Sequence, residues 1–207
     1  MFKASNDGGQ TFGKKINLSN SPGYSSVAAI AVSGNNVHVA WLENGTTSLW
    51  CNLVVRTSTD NGQTFGPVVS LWPANETANI PQSTLKVLKA HPVNDTGEVH
   101  IAAQGDNVYV VAKGAENTLS NYYTHDVYLK TSNDNGKTFG KDINLSNSPG
   151  IDSNRTELSA SGNNVYVTWW EKPPNGIDQP LMKISKDNGH TFRETIKLSV
   201  NTTTPAK

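Results

Sequence analysis

Short apolar runs alternate with polar corners along the whole chain, and the runs have a period of two. Val37, Val39 and Trp41 share one face of such a run, and Val165, Val167 and Trp169 repeat the pattern. That alternation is the signature of a half-buried strand. The runs are preceded by Gly34-Asn35-Asn36, Gly105-Asp106-Asn107 and Gly162-Asn163-Asn164, corner sequences that mark tight hairpins. The spacing predicts three units of four antiparallel strands. They fall at 27–33, 36–42, 49–58 and 65–71, then at 99–104, 107–113, 126–132 and 139–145, then at 156–161, 164–171, 181–185 and 192–198. Residues 1–5 align with the end of a third strand and 12–18 with a fourth, so the chain opens on half a unit.

Between the third and fourth strands stands an eight-residue motif that occurs four times. It reads Ser5-Asn6-Asp7-Gly8-Gly9-Gln10-Thr11-Phe12, and its other copies begin at Ser58, Ser132 and Ser185. The chemistry is that of a turn. Gly9, Gly62, Gly136 and Gly189 suit a positive φ. The carboxylates of Asp7, Asp60, Asp134 and Asp187 can accept backbone N–H groups, as in an Asx-turn, and the Thr hydroxyl can close the loop. The Phe that follows is expected to start the next strand and pack beneath the turn. Each hydrogen bond of this kind contributes about 1 kcal/mol net. A calcium loop is the alternative, but it needs Asp or Asn at alternate positions and a Glu near the twelfth. Each copy here has one Asp and lacks that Glu, which favours the structural reading.

The pattern Ser-x-Asp-x-Gly-x-Thr-Phe resembles the Asp box of sialidase-like (BNR-repeat) β-propellers. A period near 50 residues suits such a fold, and the longer middle interval is explained by one insertion. The resemblance implies an all-β propeller of four-stranded antiparallel blades. The chain then reads as a single segment, with a half blade at 1–18, blades at about 24–72, 98–145 and 155–199, and an insertion at 73–97. The first strand of each blade would line the central channel, and the boxes would lie on the outer rim, away from the usual site. The site-bearing loops would be those from the fourth strand to the next blade, 19–26, 72–98 and 146–155, and those from the second strand to the third, 43–48, 114–125 and 172–180. Three blades and a half do not close a ring. A longer propeller or a ring completed by further copies is therefore expected, and residues 200–207 are long enough for one strand but not two.

Lys+Arg and Asp+Glu balance at 17 each, so no basic field exists to attract nucleic acid. Charged residues make up 16%, against roughly 25% in an average domain; Asn, Ser and Thr take their place, as short strands and turns require. No apolar stretch reaches the roughly 18 residues of a membrane-spanning helix. The single cysteine, Cys51, lies in an apolar run and reads as a buried, inert thiol. Seven Asn-x-Ser/Thr sequons, at Asn17, Asn44, Asn75, Asn94, Asn144, Asn154 and Asn201, push the expectation towards the cell exterior. No secretory signal is expected in this stretch, which opens inside a repeat.

The resemblance also implies what a sialidase would need: three arginines for the substrate carboxylate, a Tyr–Glu nucleophile, an Asp acid–base and an Arg-Ile-Pro motif. The motif is missing and the chain holds only three arginines, Arg56, Arg155 and Arg193. Only Arg155 is expected in a site loop, beside Asp152 and Glu157. The five histidines show no metal spacing, so neither a metal nor another cofactor is expected. Glu43 and Glu171 occupy equivalent places and could pair as acid and base, although solvated strand ends are the reading favoured. Trp41 and Trp169 are expected to pack between blades. Tyr122 and Tyr123, in a site loop, could stack on a sugar or anchor a protein. The expected function is a non-catalytic extracellular module that recognises glycan or protein, or that assembles with copies of itself. The rival reading is a fragment of a sialidase-like glycoside hydrolase.

Overall fold

A computed structural model describes residues 1–44, 51–72, 98–115, 124–174 and 176–199. Three four-stranded antiparallel sheets follow one another along the chain. The first contains β1 (Tyr24–Ser33), β2 (Asn36–Asn44), β3 (Cys51–Ser58) and β4 (Val69–Ser70) in that order. The second contains β5 (Val99–Gln104), β6 (Asn107–Ala115), β7 (His125–Ser132) and β8 (Ile143–Asn144). The third contains β9 (Asp152–Ser161), β10 (Asn164–Lys172), β11 (Gln179–Ser185) and β12 (Ile196–Lys197). Ahead of them Phe2 pairs with Ile16 in one antiparallel bridge, the remnant of an outer strand pair. No helix occurs among the described residues.

The predicted strands are found in register, with one consistent difference. Each fourth strand is two residues long, not seven. After each acidic turn a single bond, such as Gly66 N–H to Thr57 O at 2.9 Å, holds the chain near its partner before the ladder forms. The first strands β1, β5 and β9 are neighbours in that order, so they form the inner side of an arc of blades. The arc does not close.

Burial follows the period of two. One face of the first sheet, with Ala40, Leu42, Leu53 and Val55, packs on Val99, Ile101, Val108 and Val110 of the second. The other face of the second, with Tyr109, Val111, Val127 and Leu129, packs on Val165, Val167, Trp169 and Leu181 of the third. Val37, Val39, Trp41 and Val54 meet Phe2, Ile16, Leu18 and Phe65. Trp41 and Trp169 thus pack between blades, as their alternation predicts.

The four acidic turns have one geometry. Ser58 Oγ donates to Asp60 Oδ1 at 2.6 Å and accepts Gly62 N–H at 2.8 Å, while Thr64 donates its N–H to Oδ1 at 2.9 Å and its hydroxyl to Oδ2 at 2.5 Å. The turns at Asp7, Asp134 and Asp187 repeat this set. Donors on both oxygens favour the ionised carboxylate. Bonds led by Thr11 hold Asp7 at about 2, and bonds led by Ser58 do the same for Asp60. At Asp134 burial pushes upward, and bonds from Thr138, Ser132 and Lys137 overcome it, leaving about 2. Asp187 is lowered further, chiefly by Ser185.

The expectation that the Phe packs beneath each turn holds for Phe65, Phe139 and Phe192. It fails for Phe12, which is 58% exposed. Nothing lies within 4 Å of a Cβ built on Gly9 of the first turn. In later turns the glycine meets the preceding element: a Cβ on Gly62 would lie 2.8 Å from Phe2 Cε1, and one on Gly136 would lie 2.9 Å from Thr57 Oγ1.

Candidate functional site

Hairpins between first and second strands share an end of each blade with the acidic turns. Asn61, Asn135 and Asn188 donate their N–H groups to Asn35, Asp106 and Asn163 of those hairpins. The opposite end carries the inter-blade connections, and the polar side chains gather there.

The register places Val27, Glu98 and Arg155 at equivalent positions at the entrance of the three inner strands. In β1 and β9 this position is a β-bulge, with Val27 at φ 52° and Arg155 at φ 52°. A β-branched or long side chain in the left-handed region costs about 1 kcal/mol or more and needs support. Glu98 supplies it for Arg155. Its Oε1 accepts Arg155 N–H at 2.9 Å and its Oε2 accepts Thr156 N–H at 2.6 Å. The bulge turns the Arg155 side chain outward. Its guanidinium stands 5.5 Å from the Trp170 ring centroid and 3.7 Å from Asp178 Oδ2. The expectation that Arg155 lies in a connecting loop is corrected: it belongs to strand β9, and the bulge rather than loop freedom exposes it.

Beside it carboxylates tie together the second sheet, the connection that follows it and the third sheet. Asp126, 4% exposed, accepts Ser146 Oγ at 2.5 Å and Asn144 Nδ2 at 2.8 Å. Glu171 accepts Ser148 Oγ at 2.5 Å and Trp169 Nε1 at 3.1 Å. Asp152 Oδ1 lies 2.9 Å from His125 Nδ1 and accepts the His125 N–H at 3.2 Å. One turn further in, His100 Nδ1 stands 3.7 Å from Glu157 Oε2.

This overturns the favoured reading of Glu43 and Glu171 as solvated strand ends. Both are half-buried. Glu171 is tied as described, and Glu43 keeps a buried Oε1 without a partner among the described residues. Nor do the two pair, since they belong to the first and third sheets with the second between them.

Tyr122, Tyr123 and the whole 73–97 insertion lie outside the described residues, as does the side chain of Cys51. Arg56 donates to Gly66 O at 2.7 Å, Leu18 O at 2.8 Å and Phe65 O at 3.1 Å, tying the half blade to the first blade. Among the described residues no three His, Cys, Asp or Glu side chains gather as a metal site, and no helix is long and apolar enough to cross a membrane.

Glu98, Asp126 and Asp178 are members that reading the sequence missed. One signal was available for Asp126: the octapeptide Ile-Asn-Leu-Ser-Asn-Ser-Pro-Gly stands at 16–23 and again at 143–150. In its second copy it supplies Asn144, Ser146 and Ser148 to the two carboxylates.

No protein-family model matches the sequence, and no curated protein matches it. Solved structures do. The α-L-arabinanase of Penicillium chrysogenum, complexed with arabinobiose, superposes with a TM-score of 0.55 at 11% identity over 86% of this chain and 50% of its own. The α-L-arabinofuranosidase of Fusarium graminearum gives 0.51 at 10% over 84% and 48%. The intramolecular trans-sialidase of Ruminococcus gnavus gives 0.51 at 12% over 87% and 61%. The chain therefore spans about half to three-fifths of the length of these structures. Together with the three in-register sheets, these likenesses make the fold an arc of a β-propeller.

Proposed function

We propose that the chain is a glycan-recognising segment of an extracellular β-propeller of the Asp-box type, acting by binding and not by catalysis. The observation that carries this is the cluster at the entrance of the inner strands, where Glu98 braces a bulge that presents Arg155 beside Trp170 and Asp178. An exposed guanidinium, an aromatic ring and carboxylate acceptors are the groups that bind sugar hydroxyls and ring faces. The likeness of the fold to an arabinanase, an arabinofuranosidase and a trans-sialidase supports a carbohydrate ligand. The seven sequons support the exterior.

A glycosidase needs two carboxyl groups free to reach the scissile bond. Here Glu98, Asp126, Asp152 and Glu171 all accept hydrogen bonds from the chain itself. That favours binding. The second reading, a fragment of a glycoside hydrolase, is supported by the partial coverage of the superposed structures.

A glycan array followed by calorimetry on the best ligand tests the proposal. Binding that weakens at least about ten-fold in Arg155→Ala, with no hydrolysis of fluorogenic arabinofuranosides or sialosides, is the expected result. Turnover of either substrate selects the second reading.

A further inference from the structure

We propose that the site at the entrance of β9 selects neutral over acidic glycans, and that Asp178 sets this preference by standing against the Arg155 guanidinium. The inference rests on the glycan reading and adds the class of ligand. Asp178 comes from the connection between β10 and β11, one residue before Gln179. Its Oδ2 stands 3.7 Å from Arg155 Nη1. At that distance opposite charges attract, yet the gap is too long for a hydrogen bond. Neither side chain makes a hydrogen bond among the described residues, so both keep their full capacity. A sugar hydroxyl beside the pair can accept from the guanidinium and donate to the carboxylate. Two vicinal hydroxyls can do the same, one to each partner.

Arg155 is fixed for this task. Its guanidinium lies over the Trp170 ring, 5.5 Å from the centroid, and is held by its face. Glu98 fixes the backbone that carries it, accepting the N–H groups of Arg155 and Thr156 at 2.9 and 2.6 Å. The donors along the guanidinium edge stay accessible, since the Arg155 side chain is 64% exposed and that of Asp178 36%. A carboxylate on the ligand meets a different situation. To reach the guanidinium it must come within a few ångströms of Asp178, and like charges that close repel. The single positive charge of Arg155 is already balanced. The wider field has the same sign. Among the described residues, this end of the second and third blades carries Glu98, Asp126, Asp152, Glu157, Glu171 and Asp178 against Lys113, Arg155 and Lys172. An acidic sugar therefore enters a negative field, whereas the hydroxyls of a neutral one find acceptors there. Discrimination of this kind comes from the repulsive element as much as from the attractive one.

The test uses the full chain and a glycan array in pairs. Neutral arabino-, xylo- and galacto-oligosaccharides stand beside the same chains bearing sialic or glucuronic acid, and the best-bound pair is taken to calorimetry. The neutral member should bind about five-fold or more tightly than its acidic partner. Raising the salt concentration should narrow that gap by screening the repulsion, a readout that needs no variant. Asp178→Asn, which keeps the size of the side chain, should narrow the gap by strengthening the acidic ligand, and should remove most of its salt dependence. Equal or tighter binding of the acidic member by the native protein overturns the inference and leaves the glycan reading standing. So does a gap that Asp178→Asn leaves unchanged, or one that Glu157→Gln narrows as much, since the charge of the whole end and not Asp178 would then decide. Binding of no glycan at all removes the glycan reading, and this inference with it.

Discussion

At Gly136 a single hydrogen atom in place of a side chain does two things. Its φ of 73° is open to glycine, and the missing Cβ leaves room for Thr57 and His38 of the preceding blade. Gly9 has the same task in the first turn, at φ 89°, but nothing within 4 Å of where a Cβ would be. The pair separates strain from contact. Gly9→Ala should cost about 1 kcal/mol, the price of the left-handed region for an L-residue. Gly136→Ala should cost about 2–3 kcal/mol, because the neighbour must also move. Urea unfolding of the two variants measures both, and equal losses would mean that the turn does not bear on the blade before it.

The strand β9 is an element whose shape is set from outside. Its bulge is a local irregularity in a strand of ten residues, yet the carboxylate that holds it belongs to the entrance of β5. Removing the carboxylate leaves two backbone donors without their acceptor. Glu98→Ala should therefore destabilise the protein by about 1–3 kcal/mol. Hydrogen exchange at Arg155 and Thr156 should accelerate more than elsewhere in β9. Glu98→Gln, which keeps one amide oxygen as acceptor, should retain part of the protection. Uniform loss across β9 would show that Glu98 acts on the sheet and not on the bulge.

Across the whole molecule, acid acts through two sets of groups. Burial holds the His38 imidazole at about 4, below its ordinary 6.5, with Nδ1 2.9 Å from Thr57 Oγ1. The unfolded chain binds that proton more readily, so this contribution is complete above 6.5 and is lost as pH falls towards 4. The turn carboxylates have folded values near 2 against 3.8, so theirs is complete above 3.8 and lost as pH falls through 2. The free energy of unfolding should fall in two steps on acidification. His38→Gln should remove the upper step and leave the lower, whatever it does to stability at neutral pH. A single step in both proteins would show that the imidazole is not buried uncharged.

Strands, turns and blade order were legible in this chain because each depends on neighbours in sequence. A period of two sorts Val37, Val39 and Trp41 to one face, and Ser, Asp, Gly and Thr within eight residues close a turn using only their own atoms. The half blade followed from the same alignment. Other features depend on groups far apart along the chain. The bulge that exposes Arg155 needs a carboxylate 57 residues away, and the burial of Glu171 needs Ser148 from a connection with no strand pattern. The contact of Trp41 with Phe2, Ile16 and Leu18 likewise joins residues about 20 to 40 positions apart, which only the packing of one element against the next decides.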